Sequence, residues 1–456
     1  MRIQKLGPIS DATINLNKLT VFIGNNGTGK TLAAYSVFAF RNWLRTFSAD
    51  VIATADFSDL VTNGKLTLPI AETATSVVTN VIESFNRLNE SSSYFSNFFR
   101  DEAVYVPHKT QITIDKDDFS NELSSKLSKI LFSYAGRESD DATDQIKQYA
   151  ITVEKDATQK NIVITRTEQL SENRKLELSA EENIIKRLNQ SITCFFADNL
   201  AENIYLPAER IGINVFRTRL NNQVVNESFS NPVEALTSRP AMNERYPYPI
   251  EDYIKFLNNS LTSLDRNYDQ QTSADEQELL SKLIPGHFFY SEDLNQIRYR
   301  LPEDTTQEIS FNLVSSSLKS LLGIETFVKH HDTFSWLLID EPEMNLHPTR
   351  QTMMADLLYQ LTKGNTRVVV STHSDYFIKA LINDILASKV ADKEKHIGTT
   401  ADVSIYEFTN NSVRQLEDLT DEAAFTNFDE TTDKINTRYY DLLDQLDEEN
   451  AGPTDE

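Results

Sequence analysis

Apolar and polar positions alternate from Ile3 through Ile9, Ala12, Ile14 and Leu16, with a turn signal at Gly7-Pro8. This period of two predicts a short strand or hairpin over residues 1–17. The pattern then changes. Leu19 to Ile23 is a continuous apolar run, as in a strand buried on both faces. From Leu32 to Phe47 the apolar residues Leu32, Tyr35, Val37, Phe38, Phe40, Trp43, Leu44 and Phe47 recur at helical spacing. A buried strand feeding a long helix is therefore expected, with the helix packed on the sheet and its aromatic residues forming core.

From about Ser48 to Asn199 the chain reads as polar and helical, punctuated at Ser91-Ser92-Ser93. Within it, Ala150 to Glu154 and Asn161 to Arg166 alternate around a turn at Asp156 to Lys160, which predicts one β-hairpin. The stretch is too long for a connection and reads as an insertion. Sheet returns at Asn203 to Leu206. Asn221 to Pro249, rich in Asn, Pro and Ser, reads as a mobile loop, and Gln296 to Leu301 with Glu308 to Asn312 as a second hairpin. An amphipathic helix is expected to run to Phe327, and apolar strands end near Ile339 and Thr372. The fold class is thus α/β, a mixed sheet with flanking helices. Its core is split between residues 1–48 and 200–410 around a mainly helical insertion at 49–199, with an acidic helix or tail at 411–456.

Charge narrows the partners. Lys and Arg number 44 against 68 Asp and Glu, a net −24, which opposes wholesale binding of nucleic acid or an anionic membrane. The basic residues between Lys147 and Arg187 are matched by acidic neighbours, as on a solvated mixed surface. The tail from Asp421 to Glu456 carries twelve acids and two bases, a solvated helix or a docking element for a basic partner. Cys194, the only cysteine, precludes an intramolecular disulfide and a cysteine-built zinc site; within Cys194-Phe195-Phe196 it reads as core. With no secretory leader and no run of about 18 apolar residues, the expected location is the cytoplasm.

The candidate chemistry lies first at Gly24-Asn25-Asn26-Gly27-Thr28-Gly29-Lys30-Thr31, between the buried strand and the long helix. Glycines let backbone N–H groups approach phosphates, Lys30 supplies charge to the β- and γ-phosphates, and Thr31 supplies a hydroxyl to Mg²⁺. The helix start adds the positive end of its dipole. The second element is Phe334-Ser335-Trp336-Leu337-Leu338-Ile339-Asp340-Glu341, an apolar strand ending in two acids. In this Walker B pattern Asp340 holds Mg²⁺ and Glu341 polarises the attacking water. ATP and Mg²⁺ are the cofactors expected. A charged pair, Glu209 and Arg210, follows the strand Asn203 to Leu206, where an α/β sheet places site residues.

The runs IDEPEMNLHP and VVVSTHS resemble those of ABC-type P-loop ATPases of the prokaryotic AAA-15/AAA-21 and OLD-like group. The resemblance covers the start of the chain to about Ser48 and Tyr205 to about Phe408, YLPAER included. It implies that His373 senses the γ-phosphate and that His347 belongs to the D-loop rather than to a metal site. It also implies a signature segment at Leu313 to Lys319. There Ser315 would donate to the γ-phosphate of ATP held by a second copy, although Ser316, Ser317 and Leu318 replace the family's glycines and glutamine. A homodimer or higher even oligomer follows from that implication. OLD-type proteins continue into a TOPRIM nuclease, whose Asp-x-Asp is not found after Val403 to Phe408, so no nuclease is expected in cis. The layout is similar to ATPase subunits of two-gene anti-phage defence systems of the PARIS or Septu type, which implies control of a separately encoded effector, a TOPRIM or HNH nuclease. Two further readings have different tests. A DNA-repair ATPase head like RecF or the structural-maintenance-of-chromosomes proteins should bind DNA. A transporter's nucleotide-binding subunit should carry a coupling surface for membrane domains.

Overall fold

The computed structural model describes residues 1–91, 93–116, 129–140, 143–169, 181–197, 203–224, 246–260, 272–294, 296–301, 307–330, 336–364, 366–391, 402–410, 412–416, 434 and 436–442. Among the described residues, the expected hairpin at the start is β1 (Arg2–Leu6) and β2 (Ile9–Thr13), paired antiparallel. The buried strand is β3 (Leu19–Gly24), and the long helix is α1 (Lys30–Leu44), which begins inside the glycine-rich loop.

Residues 49–199 hold helices α2 (Thr54–Asn63), α3 (Ile70–Ser91), α4 (Tyr94–Phe99) and α5 (Glu181–Ala197). They also hold strands β4 (Lys65–Pro69), β5 (Gln111–Thr113), β6 (Lys129–Asp140), β7 (Thr143–Lys155) and β8 (Asn161–Gln169). The segments expected to pair as a hairpin lie in β7 and β8, which are the middle of a four-stranded antiparallel sheet ordered β4-β8-β7-β6. Asp156 organises the turn by accepting from the Lys160 and Asn161 amides, at 3.1 and 3.3 Å. Of the outer strands, β4 alternates over only five residues, and β6 pairs with β7 along its whole length.

The central sheet has six strands in the order β16-β15-β3-β14-β13-β9. It uses β9 (Asn203–Leu206), β13 (Trp336–Asp340), β14 (Arg367–Thr372), β15 (Val403–Phe408) and β16 (Val413–Gln415). All pairs are parallel except β15 with β16, so the sheet is mixed and the fold is α/β with flanking helices. Because strand side chains alternate between faces, each strand divides its residues between two cores. Phe22, Trp336, Leu338, Val369, Tyr406 and Phe408 join α1 and the 49–199 region on one face. Leu19, Val21, Ile23, Leu337, Ile339, Val368 and Val370 join the C-terminal helices on the other.

Between β9 and β13 lie α6 (Arg210–Val224), α7 (Tyr248–Ser260), α8 (Ala274–Leu283), and an antiparallel sheet of β10 (His287–Ser291), β11 (Gln296–Arg300) and β12 (Glu308–Ser310). The expected second hairpin is β11 with β12, and β10 is a third strand that the sequence pattern did not mark. A 3₁₀ turn at Phe311–Leu313 leads to α9 (Ser316–Lys319) and α10 (Leu322–His330). Helices α11 (Pro348–Lys363) and α12 (Asp375–Ala391) follow β13 and β14. Of the loop expected over Asn221 to Pro249, residues 225–245 lie outside the described residues. The acidic tail also lies outside them, apart from residues 434 and 436–442.

Candidate nucleotide site

In a parallel sheet the C-terminal strand ends form one edge, and β14 stands between β3 and β13. The register pairs Asp340 with Ser371 and Thr372 with Ile23, so the glycine-rich loop, Asp340-Glu341 and His373 leave the sheet at the same edge. Residues distant in sequence are thereby brought to one place.

The loop needs its glycines. Gly24 has φ +136°, and a Cβ there would lie 2.2 Å from the Phe408 carbonyl oxygen; Gly29 has φ +103°, and its Cβ would meet Ile9 at 2.6 Å. Gly29 precedes α1 with no side-chain cap, so the first helical amides are left to an anion. The Thr28 hydroxyl donates to the Asn25 carbonyl at 2.8 Å, while Asn25, Asn26 and Gly27 are exposed. Lys30 is buried, and its Nζ donates to the Gly24 and Asn25 carbonyls at 2.8 and 2.9 Å. Burial lowers the Lys30 pKa against the opposing pull of Glu341, Asp340 and Glu343.

The Thr31 hydroxyl donates to Asp340 Oδ2 at 2.8 Å, and the Ser371 hydroxyl donates to Asp340 Oδ1. Burial pushes the Asp340 carboxyl up to about 6 despite these two bonds. Such a carboxylate is poorly compensated by hydroxyls alone, and a divalent cation would supply the missing charge. Thr31 and Asp340 are thus placed to hold Mg²⁺. Among the described residues no three or more His, Cys, Asp or Glu side chains form a metal site, so the remaining ligands would be phosphate and water oxygens.

Glu341 sits at φ +48°, its N–H donating to the Ser371 carbonyl at 2.8 Å. That turn carries its carboxylate to within 3.2 Å of His373 Nδ1. The hydrogen bond between them holds the Glu341 carboxyl below its usual range and raises the His373 imidazole. Glu343, not singled out from the sequence, is buried behind them. Its Oε1 accepts from the Thr372 hydroxyl at 2.8 Å and the His373 N–H at 3.0 Å, so it positions the histidine loop. The only sequence signal was a second carboxylate two positions after Glu341 in IDEPEMNLHP.

Arg210 is fully enclosed rather than facing the loop. Its guanidinium donates to the carbonyls of Asp340 at 2.8 Å, Glu341 at 2.7 Å, Pro342 at 3.3 Å and Pro207 at 3.2 Å, and through Nε to Ser320 at 3.1 Å. It is a strut for the Walker B turn. Glu209 beside it is exposed. Ser315 is exposed too, and caps α9 by accepting from the Leu318 N–H at 3.3 Å. His347 caps α11, with its Nδ1 accepting from the Thr349 N–H at 3.4 Å.

The family model described as AAA ATPase domain matches residues 1–378, from the first strand through the loop, Ser315, the Walker B turn and His373. The chain belongs to this family. A comparison with curated proteins finds no match for this AAA ATPase domain protein. Among solved structures it is similar to the SMC head bound to the C-terminal winged-helix domain of ScpA, at 9% identity over 91% of this chain and 96% of that one, TM-score 0.34. It is also similar to the SMC head domain from Thermotoga maritima, at 10% identity over 91% and 96%, TM-score 0.29. A third is the Smc head domain from Pyrococcus furiosus with an extended coiled coil, at 12% identity over 94% and 98%, TM-score 0.30. All three likenesses are distant. No helix among the described residues is long and apolar enough to cross a membrane.

Proposed function

We propose that this AAA ATPase domain protein hydrolyses ATP, closes as a homodimer around the nucleotide, and through that closure controls a separately encoded effector, a nuclease in anti-phage defence. The observation that carries hydrolysis is the meeting of Lys30, Thr31, Asp340, Glu341 and His373 at one sheet edge, with Glu341 and His373 3.2 Å apart. Loop amides and Lys30 bind phosphate oxygens, and Thr31 and Asp340 would hold Mg²⁺, which would supply positive charge to those oxygens. Glu341 accepts a proton from the attacking water, and His373, oriented by Glu343, faces the terminal phosphate and the Glu341 carboxylate together. Dimer closure is supported by exposed Ser315, whose hydroxyl caps only its own short helix and is available to a second copy's nucleotide. The cytoplasm is the setting this reading assigns, and the effector and defence role rest on the sequence resemblance alone.

Glu341→Gln tests the mechanism. ATP turnover should fall by about 10²–10⁴-fold, and ATP should trap a species of twice the monomer mass in light scattering. Unchanged turnover would end the assignment of Glu341. A monomer under saturating ATP would end the dimer model. A DNA-repair head is the alternative, and its mark is ATP-stimulated, salt-dependent binding in a gel shift; the net −24 charge speaks against it.

A further inference from the structure

A second polar cleft, of about 200 Å³, lies away from the phosphate loop, between α6, β11 and the 3₁₀ turn that leads to Ser315. Asn214, Arg217, Gln296, Ser310 and Asn312 line it. Arg217 is 8% exposed, and its Nη1 has no hydrogen-bond partner among the described residues. A guanidinium is a five-donor fork that stays charged, and burying it without an acceptor costs several kcal/mol. Burial lowers its pKa, and the opposing charge that acts on it is the Tyr290 phenol rather than a carboxylate. Among the described residues, buried Lys329 pairs with Glu325, Arg210 is ringed by carbonyls, and Arg41 lies over the Trp336 ring, whereas Arg217 faces the cleft.

The wall around Arg217 is fixed. Asn214 donates to the Lys319 carbonyl at 2.8 Å and accepts from the Tyr253 hydroxyl at 2.9 Å, which ties α6 to α9 and α7. The cleft is thus preorganised, and its amides and Ser310 hydroxyl suit the remaining lone pairs of an anion whose charge Arg217 meets. At about 200 Å³ it is below the usual range of roughly 300–1,000 Å³ for drug-sized ligands. The cleft is small for a whole nucleotide, and a single carboxylate group with a short stem fits.

We propose that this cleft is a carboxylate-binding site in which Arg217 receives the anion as a bidentate pair. The carboxylate comes from one of two sources: a small free acid, or an acidic side chain of a second copy seated beside Leu313, which is 81% exposed next to the cleft. The second source rests on the dimer reading above, and the first does not.

The experiment has two arms. In the first, the melting temperature of the full chain, held in saturating ADP to occupy the phosphate loop, is measured with glutamate and with succinate against sodium chloride of equal ionic strength. A free-acid site predicts a rise of about 2 °C or more, reduced in Arg217→Lys and abolished in Arg217→Met. In the second, the ATP-dependent dimer of Glu341→Gln is sedimented with and without Arg217→Met. A side-chain source predicts at least tenfold weaker dimerisation with unchanged nucleotide affinity. The proposal is overturned if Arg217→Met alters neither the carboxylate shift nor the dimer constant, including when Arg217→Met is simply more stable than the parent. If Glu341→Gln forms no dimer at all, the dimer reading fails and the first arm alone decides the cleft.

Discussion

The Glu341 and His373 pair determines how the site responds to pH. Glu341 has a depressed folded pKa, so its contribution to stability is present above the unfolded value of about 4.3 and is lost as pH falls through the folded one. His373 has a raised folded pKa, so its contribution is present below about 6.5 and is lost as pH rises through the folded value above that. The stability difference between wild type and His373→Asn should therefore be widest between about pH 4.3 and 6.5, and should narrow on both sides. Urea denaturation across pH measures it. The difference is small in absolute terms, because the histidine is half exposed and solvent screens the pair. A flat difference across that range would remove the ion pair from the account.

At the scale of elements, Arg210 joins the end of β9, the Walker B turn after β13 and the residue that closes α9. Arg210→Met leaves several buried carbonyls without donors, and should cost on the order of 3 kcal/mol or more in urea denaturation. Arg210→Lys should be nearly as costly, since one ammonium cannot span carbonyls that a planar fork reaches together. A loss under 1 kcal/mol would show that water replaces the guanidinium. This strut also marks where sequence reading stopped. The loop, Asp340 and Glu341 were legible because each stands in a short contiguous run whose residue types follow from phosphate chemistry, whereas His373 was reached only through the resemblance of the run VVVSTHS. Glu209-Arg210 read as a charged pair at a strand end, yet all of Arg210's partners but Pro207 lie more than a hundred residues on in the chain, and the two side chains part company, one enclosed and one exposed. Glu343 was hidden for the same reason, its partners Thr372 and His373 being set by strand register rather than by spacing. Strand β4 alternates over only five residues, too short a run to stand out, while β6 and β10 are held by pairing with β7 and β11.

Over the whole molecule, the sheet divides two apolar cores, and one of them runs without a break from β1, β2 and α1 into α3, α4, α5 and the β7–β8 strands. The β5 strand of the 49–199 region completes the first sheet by pairing with β1. Sequence suggested an ATPase core with an added module; packing makes the addition part of the core's wall. A chain with residues 49–199 replaced by a short linker would expose Phe38, Phe40 and Trp43, and should be aggregated or unfolded by circular dichroism and light scattering. A folded, monomeric deletion variant would show that the shared core is dispensable.

Helix α1 is buried along almost its whole length, all but Thr31 and Leu32. Its far end is tied by the Tyr94 hydroxyl donating to the Ala39 carbonyl at 2.7 Å, and by the Phe40, Trp43 and Phe85 rings in mutual contact. Close-packed interiors compress little, so α1 behaves as a stiff rod with one end at the phosphates and the other embedded among α3 and α4. A displacement of a few tenths of an ångström at Lys30 would have little slack in which to dissipate along α1 before it met α3 and α4.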